Sequence, residues 1–174
     1  RESFPRLLDC RDPDRVEEAV RYYRERYSAV GKYENAVYPG VVFMLETLQA
    51  AGLGLWVATS KPRFYAVDIL AHFGLAGFFR AVYGSEPDGT RTDKRDVLGH
   101  VLAREALAPE TCLMAGDRGA DMAGARHHGM RAAGVLYGYG ARAELLDGGA
   151  ERVFETPAAL AGWLAAGARR DQNW

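Results

Sequence analysis

An α/β fold, a parallel sheet flanked by helices, is what this sequence predicts, and three observations carry the expectation. From Gly54 onward short apolar runs alternate with helix-like stretches, the pattern of a layered strand–helix fold. The first run, Leu55-Trp56-Val57-Ala58-Thr59, is apolar without alternation, as strands covered on both faces are. Residues suited to chemistry stand where the apolar runs stop, and ligands of open parallel sheets gather beyond the C-terminal strand ends.

Taken in order, Asp12-Pro13 reads as a helix start, with Asp as N-cap and Pro at the first helical position. Val16, Ala19, Val20 and Tyr23 then recur at helical spacing in the charged stretch to Tyr27. Residues 31–38 form a connector. Pro39-Gly40 opens a second helix over 41–51, closed by Gly52. After the strand at 55–59, a helix is predicted from Pro62 to His72, stopping near Gly74. A strand follows at 81–83 and a helix at 93–106. A third strand is predicted at 111–115, a helix at 120–128 and a fourth strand at 132–137. A short strand at 152–154 and a helix at 157–166 complete the series.

Bulk properties exclude several classes. The chain has 174 residues, 48% hydrophobic and 26% charged, and a net charge of −1, ordinary for a globular domain. So weak a net charge offers no broad basic field for a nucleic-acid polymer. No apolar run reaches the roughly 18–20 residues that cross a membrane, and Arg1-Glu2-Ser3-Phe4-Pro5 does not read as the apolar region expected of a secretory leader. Cys10 and Cys112 are the only cysteines, so a disulfide framework is not expected and a reducing, cytoplasmic compartment is.

Three places hold candidate chemistry. The third strand runs into Gly116-Asp117-Arg118-Gly119-Ala120-Asp121. Asp117 falls at the strand end and Asp121 in the first turn of the next helix, so both carboxylates can converge on a hard cation such as Mg²⁺. The bland alternative is that Asp117 caps the helix and Asp121 is solvated. The first strand runs into Thr59-Ser60-Lys61-Pro62. A hydroxyl, a free N–H and a helix N-terminus meeting there would hold an anion; a plain Ser/Thr cap is the alternative. Lys94 opens a helix, where a positive charge opposes the dipole. That misfit suggests neutralisation of a bound phosphate, against a simply solvated lysine.

These sites, in this order, resemble the haloacid dehalogenase (HAD) superfamily, in its phosphoglycolate phosphatase and 5′-nucleotidase branch. The resemblance is carried by Tyr33-Glu34-Asn35 with Val37-Tyr38-Pro39-Gly40, by Val57-Ala58-Thr59-Ser60-Lys61-Pro62, by Asp88-Gly89-Thr90 with Lys94, and by Met114-Ala115-Gly116-Asp117-Arg118 with Asp121 and Gly124-Ala125. It implies a HAD-like core over 38–174 and, over 1–37, a remnant of a small helical cap. It further implies a Mg²⁺-dependent phosphate-monoester hydrolase acting through an aspartyl phosphate on a small phosphorylated metabolite, such as a nucleoside 5′-monophosphate or phosphoglycolate. Thr59 and Ser60 would bind the phosphoryl group. Lys94 would neutralise it, and Thr59 and Lys94 count as the catalytic residues. Asp117 would ligate Mg²⁺, with Asp121 completing or orienting the metal shell. No nucleic acid and no membrane is expected as partner, and the protein is expected to be a monomer or homodimer.

The family's opening strand, ending in Asp-x-Asp-Gly-Thr and supplying the nucleophile, has no counterpart in these residues. Asp12-Pro13-Asp14 has the spacing but no apolar strand before it, and proline would break one. Asp88-Gly89-Thr90 has Glu86 two residues before it, and Pro87-Asp88-Gly89 is a turn signal. In the family this strand lies between the strands that here end at Thr59 and Ala115, and without it two apolar edges are left unpaired. The expectation is a segment that is disordered, cleaved or omitted, a working phosphatase as the parent protein, and no activity from these 174 residues alone. The competing class is a non-catalytic relic that still binds phosphate and metal.

Overall fold

The structure, a computed structural model, describes residues 4–170. The chain falls into two compact units that divide after Ala36.

The first unit holds α1 (Phe4–Leu7), α2 (Pro13–Ala29) and a 3₁₀ turn at Gly31–Tyr33. Asp12 caps α2 as expected, accepting from the Asp14 N–H at 3.0 Å. The Tyr23 ring is edge-on to Phe4 and stacked on Tyr27, each at 5.5 Å. A two-pronged Arg26–Glu34 pair, at 2.6 and 2.7 Å, ties the end of α2 to the residues beyond the turn.

The second unit opens with α3 (Val41–Ala50), flanked by Gly40 and Gly52 in left-handed conformations that a side chain would strain. The elements then alternate as β1 (Trp56–Pro62), α4 (Arg63–His72), β2 (Ala81–Ser85), α5 (Lys94–Glu105), β3 (Leu113–Gly116), α6 (Gly119–His127) and β4 (Arg131–Val135). After β4 come α7 (Arg142–Gly148), β5 (Arg152–Phe154) and α8 (Pro157–Arg170). All strand pairs are parallel, as the strand–helix alternation requires.

Several elements depart from the sequence expectation. Residues Pro109–Thr111 form a 3₁₀ turn and β3 begins only at Leu113, because the Thr111 and Cys112 N–H groups are spent within the turn on the Ala108 and Pro109 carbonyls. The fourth strand ends at Val135 because its partner β5 stops at Phe154, the Leu136 N–H making the last bond of that ladder to the Phe154 carbonyl. Helix α7 had no prediction. Its seven residues are too few to show a helical period, and Gly149 at φ 112° is the one local sign of its end.

The core lies about β4. Ala132 on one face joins Met122 and Ala125 of α6 and Leu145 of α7. Ala133 and Val135 on the other join Phe154 and Leu160, so the strand's two-residue period sorts the helices into layers. Among the described residues the strands form two sheets, β1-β2 and β3-β4-β5, rather than one. Helices α5 and α6 pack side by side, α5 on β1 and α6 on β3. The strands nearest that division are only half covered: no residue of β1 is buried, whereas four of the five in β4 are.

Candidate active site

Strand β1 does not stop at Thr59. It continues to Pro62 through an irregularity in which pairing jumps from Ala58 opposite Tyr83 to Pro62 opposite Ser85. Four steps along β1 therefore match two along β2, and Thr59-Ser60-Lys61 bulges from the ladder. Helix α4 begins just past the bulge, where it was expected: Pro62 is its N-cap, and no side chain caps it, so the alternative of a plain Ser/Thr cap does not hold. Thr59 Oγ1 accepts from the Lys61 N–H at 3.1 Å, and Ser85 Oγ donates to the Ser60 carbonyl at 3.1 Å. The Ser60 side chain is exposed.

Lys94 is the first residue of α5, where Asp93 caps the helix by accepting from the Arg95 N–H at 2.8 Å. The lysine is not solvated. Its Nζ lies 2.9 Å from Asp121 Oδ1 and donates to the Ala58 carbonyl at 2.7 Å. The two side chains are only 11% and 8% exposed. Lys94 therefore joins the end of β1 to the start of α6, and its charge meets a carboxylate instead of opposing its own helix. Gly124 lets the lysine stem pass, since a Cβ there would come within 3.0 Å of Lys94 Cγ.

Neither bland alternative for the aspartates holds. Asp121 is buried at 6% exposure, and its Oδ2 accepts from the Arg118 N–H at 3.1 Å. Asp117 does not cap α6, whose N-cap is Arg118. Its Oδ2 accepts instead from the Tyr139 N–H at 2.8 Å, and Oδ1 takes no hydrogen bond from any described residue. Three glycines make room: a Cβ at Gly116 would overlap the Asp121 carboxyl, one at Gly138 the Asp117 side chain, and one at Gly140 the Asp117 carbonyl. The sequence reading passed over Gly138-Tyr139-Gly140, although two glycines just past a strand signal close backbone approach.

Arg118 lies over the surface, with Nε 3.0 Å from Glu144 of α7, whose carboxylate also accepts from the Gly119 N–H at 2.8 Å. These contacts hold Glu144 below the usual carboxylate range, the Gly119 bond first. His128 Nε2 lies 2.7 Å from the Arg95 carbonyl and ties α6 to α5.

Tyr137 bears on the site through charge. Burial, and after it the negative charge of Asp117, pushes its phenol up to about 12. A raised acid pKa favours the protonated form in the folded state. The contribution to stability is thus complete below about pH 10 and lost as pH rises through 12. In a spectrophotometric titration Tyr137 should ionise near pH 12, after the exposed tyrosines, and the late component should vanish in Tyr137→Phe. A Tyr137→Phe profile identical to wild type would refute the assignment.

Lys94, Asp121 and Ala58 of β1 are thus brought together, and Asp117 directly follows β3. Among the described residues no group of three or more His, Cys, Asp or Glu side chains converges. Mg²⁺ asks less than that, taking one or two carboxylates with water and phosphate oxygens. The uncommitted Oδ1 of Asp117 fits such a cation, while Asp121 has both oxygens engaged and suits an orienting role.

A fold with phosphate-suited groups at parallel strand ends defines a class, and comparison agrees. Residues 6–135 match the family model described as haloacid dehalogenase-like hydrolase. The chain belongs to that family. It is 47% identical over 147 residues to a 5′-nucleotidase of Pseudomonas aeruginosa, covering 81% of this chain and 66% of that protein. It is 43% identical over 132 residues to tyrosine-protein kinase PtkA of Mycobacterium tuberculosis, covering 76% and 45%. A phosphoglycolate phosphatase of Vibrio cholerae is 31% identical over 127 residues, covering 73% and 56%. The crystal structure of a predicted phosphatase from Clostridium acetobutylicum matches with a TM-score of 0.85 at 34% identity, covering 95% of this chain and 76% of that one. The chain thus spans less than two thirds to under half the length of these curated relatives. No helix among the described residues is long and apolar enough to cross a membrane.

Proposed function

We propose that the complete protein is a cytoplasmic, Mg²⁺-dependent phosphate-monoester hydrolase. Its substrate is a small phosphorylated metabolite, with a nucleoside 5′-monophosphate ahead of phosphoglycolate. The observation that carries this reading is the buried Lys94–Asp121 pair fastened to the Ala58 carbonyl. It sets a cation just before the Thr59–Lys61 bulge, where a dianionic phosphate would rest. The names of the relatives support the class of reaction and the order of substrates.

In this reading the Thr59 hydroxyl and the Ser60 N–H hold two phosphoryl oxygens. Lys94 Nζ neutralises the charge that grows on the phosphoryl group, and Asp121 keeps that ammonium in place. Asp117 Oδ1 holds Mg²⁺, which when bound supplies Lewis-acid polarisation of a phosphate oxygen. The attacking carboxylate comes from a strand lying between β1 and β3. Its oxygen bonds to phosphorus as the bond to the substrate alcohol breaks, and water then cleaves the aspartyl phosphate to release inorganic phosphate. The first unit is a remnant of the helical cap.

The test compares kcat/KM of the full-length protein for adenosine 5′-monophosphate, phosphoglycolate and a phosphorylated sugar. Turnover of the nucleotide at least about tenfold above the others is the expected result. Equal, negligible rates on all three would refute the reading and leave a phosphate-binding relic. A second reading, phosphoryl transfer to tyrosine, is favoured by the identity to the mycobacterial kinase. It predicts phosphotyrosine on an acceptor protein where the first predicts free phosphate.

A further inference from the structure

A cavity separate from the candidate active site lies on the open edge of β2. Among the described residues β2 pairs only with β1, and along its other edge runs a cavity of about 450 Å³ between α4 and α5. Arg63, His100 and Arg104 line it, with Tyr83 and Val67 as its less polar wall. None of Thr59, Ser60, Lys94, Asp117 or Asp121 does so.

The charges of the lining are unequally committed. Glu86, the one acid there, is taken by Arg91 at 2.7 Å, with Arg63 Nε farther off at 3.6 Å. Among the described residues Arg104 forms no ion pair and His100 no hydrogen bond, although the half-buried His100 ring packs edge-on against Tyr83 at 5.5 Å. The Tyr83 hydroxyl is already engaged by Glu105. The pocket therefore offers a guanidinium and an imidazole edge beside a ring, with its carboxylate neutralised. A volume of this size accepts a metabolite rather than a lone ion.

An added peptide strand fits less well. Gly84 and Ser85 are buried, and the Glu86–Arg91 pair lies just beyond them. Only three residues, Ala81 to Tyr83, remain open, short of the usual five or six of a strand.

We propose that this cavity binds a small organic anion, with a phosphate or carboxylate head on Arg104 and His100 and its body against Tyr83 and Val67. Ser85, at the C-terminal end of the same strand, donates to the Ser60 carbonyl, so the pocket shares its wall with the bulge of the candidate active site.

Amide chemical-shift mapping of the full-chain protein locates the binding directly. Inorganic phosphate and malonate are titrated separately in roughly 0.15 M salt, where diffuse surface attraction is largely screened. Saturable shifts at Val82, Tyr83, His100 and Arg104 are expected. Arg104→Glu, at an exposed position, should weaken them about tenfold or more, the loss of one charge-assisted contact, while leaving the fold's other resonances in place. Shifts with both probes mark a general anion site, and with phosphate alone a phosphate-ester site. Phosphate shifts confined to Thr59–Lys61 would support the proposed function and overturn this inference. So would β2-edge shifts unchanged in Arg104→Glu, or none at all.

Discussion

Asp121→Ala should cost the protein about 3–5 kcal/mol, the penalty for leaving one member of a buried ion pair alone, and lower its melting temperature by roughly 10 °C. The cause is the position of Lys94. Its side chain is 11% exposed, with Nζ 2.9 Å from the carboxylate and fixed to the Ala58 carbonyl. Without Asp121 the ammonium keeps one backbone acceptor and little water, and the Arg118 N–H also loses its acceptor. Replacing both charges, as Lys94→Met with Asp121→Leu, should recover much of the loss, because two apolar side chains carry no desolvation penalty. A thermal or urea double-mutant cycle measures the coupling. Additive effects, each below about 1 kcal/mol, would show the two groups to be independent and solvated.

Gly140→Ala should be the most damaging single methyl group. Its Cβ would overlap the Asp117 carbonyl, a backbone atom that cannot rotate away, whereas at Gly138 the overlap is with the movable Asp117 side chain. Forced displacement of this kind costs about 1–3 kcal/mol. It would also pull the Tyr139 N–H from Asp117 Oδ2. The control is Gly162→Ala in α8, where nothing lies within 4 Å of the added methyl. There the better helix former should stabilise by about 0.5–1 kcal/mol. Unfolding midpoints for the two variants should move in opposite directions. Equal midpoints would mean that the loop after β4 gives way freely.

What the sequence revealed and what it hid follow a physical division. Asp12-Pro13, the glycines at 40 and 52, and the apolar run at 55–59 are local signals, and each produced the expected helix end or strand. The spacing of Asp117 and Asp121 placed the first just past β3 and the second in the first turn of α6, because a strand end and a helix's first turn are also local. The pairing of Lys94 with Asp121, across 27 positions, was not legible, since it depends on α5 and α6 packing side by side. The bulge at Thr59–Lys61 was hidden because it is defined by the neighbouring strand, not by its own residues. The seven residues of α7 gave too little period to read, and with them went Glu144 and its hold on α6.

The division of the strands into two sheets bears on the central claim. An apolar strand left half covered is a liability that proteins ordinarily remove by pairing it. The claim that a strand bearing a carboxylate belongs between β1 and β3 accounts for the exposure of both. It also puts that carboxylate at the strand ends where Lys94, Thr59 and Asp117 stand.

The decisive measurement is phosphate release from adenosine 5′-monophosphate by the full-length protein, with Mg²⁺, with a chelator, and in Asp117→Asn. The account predicts turnover with Mg²⁺, its loss on chelation, and a drop of about 10²–10³ or more in Asp117→Asn without loss of fold. Turnover that persists under chelation and in Asp117→Asn would contradict it.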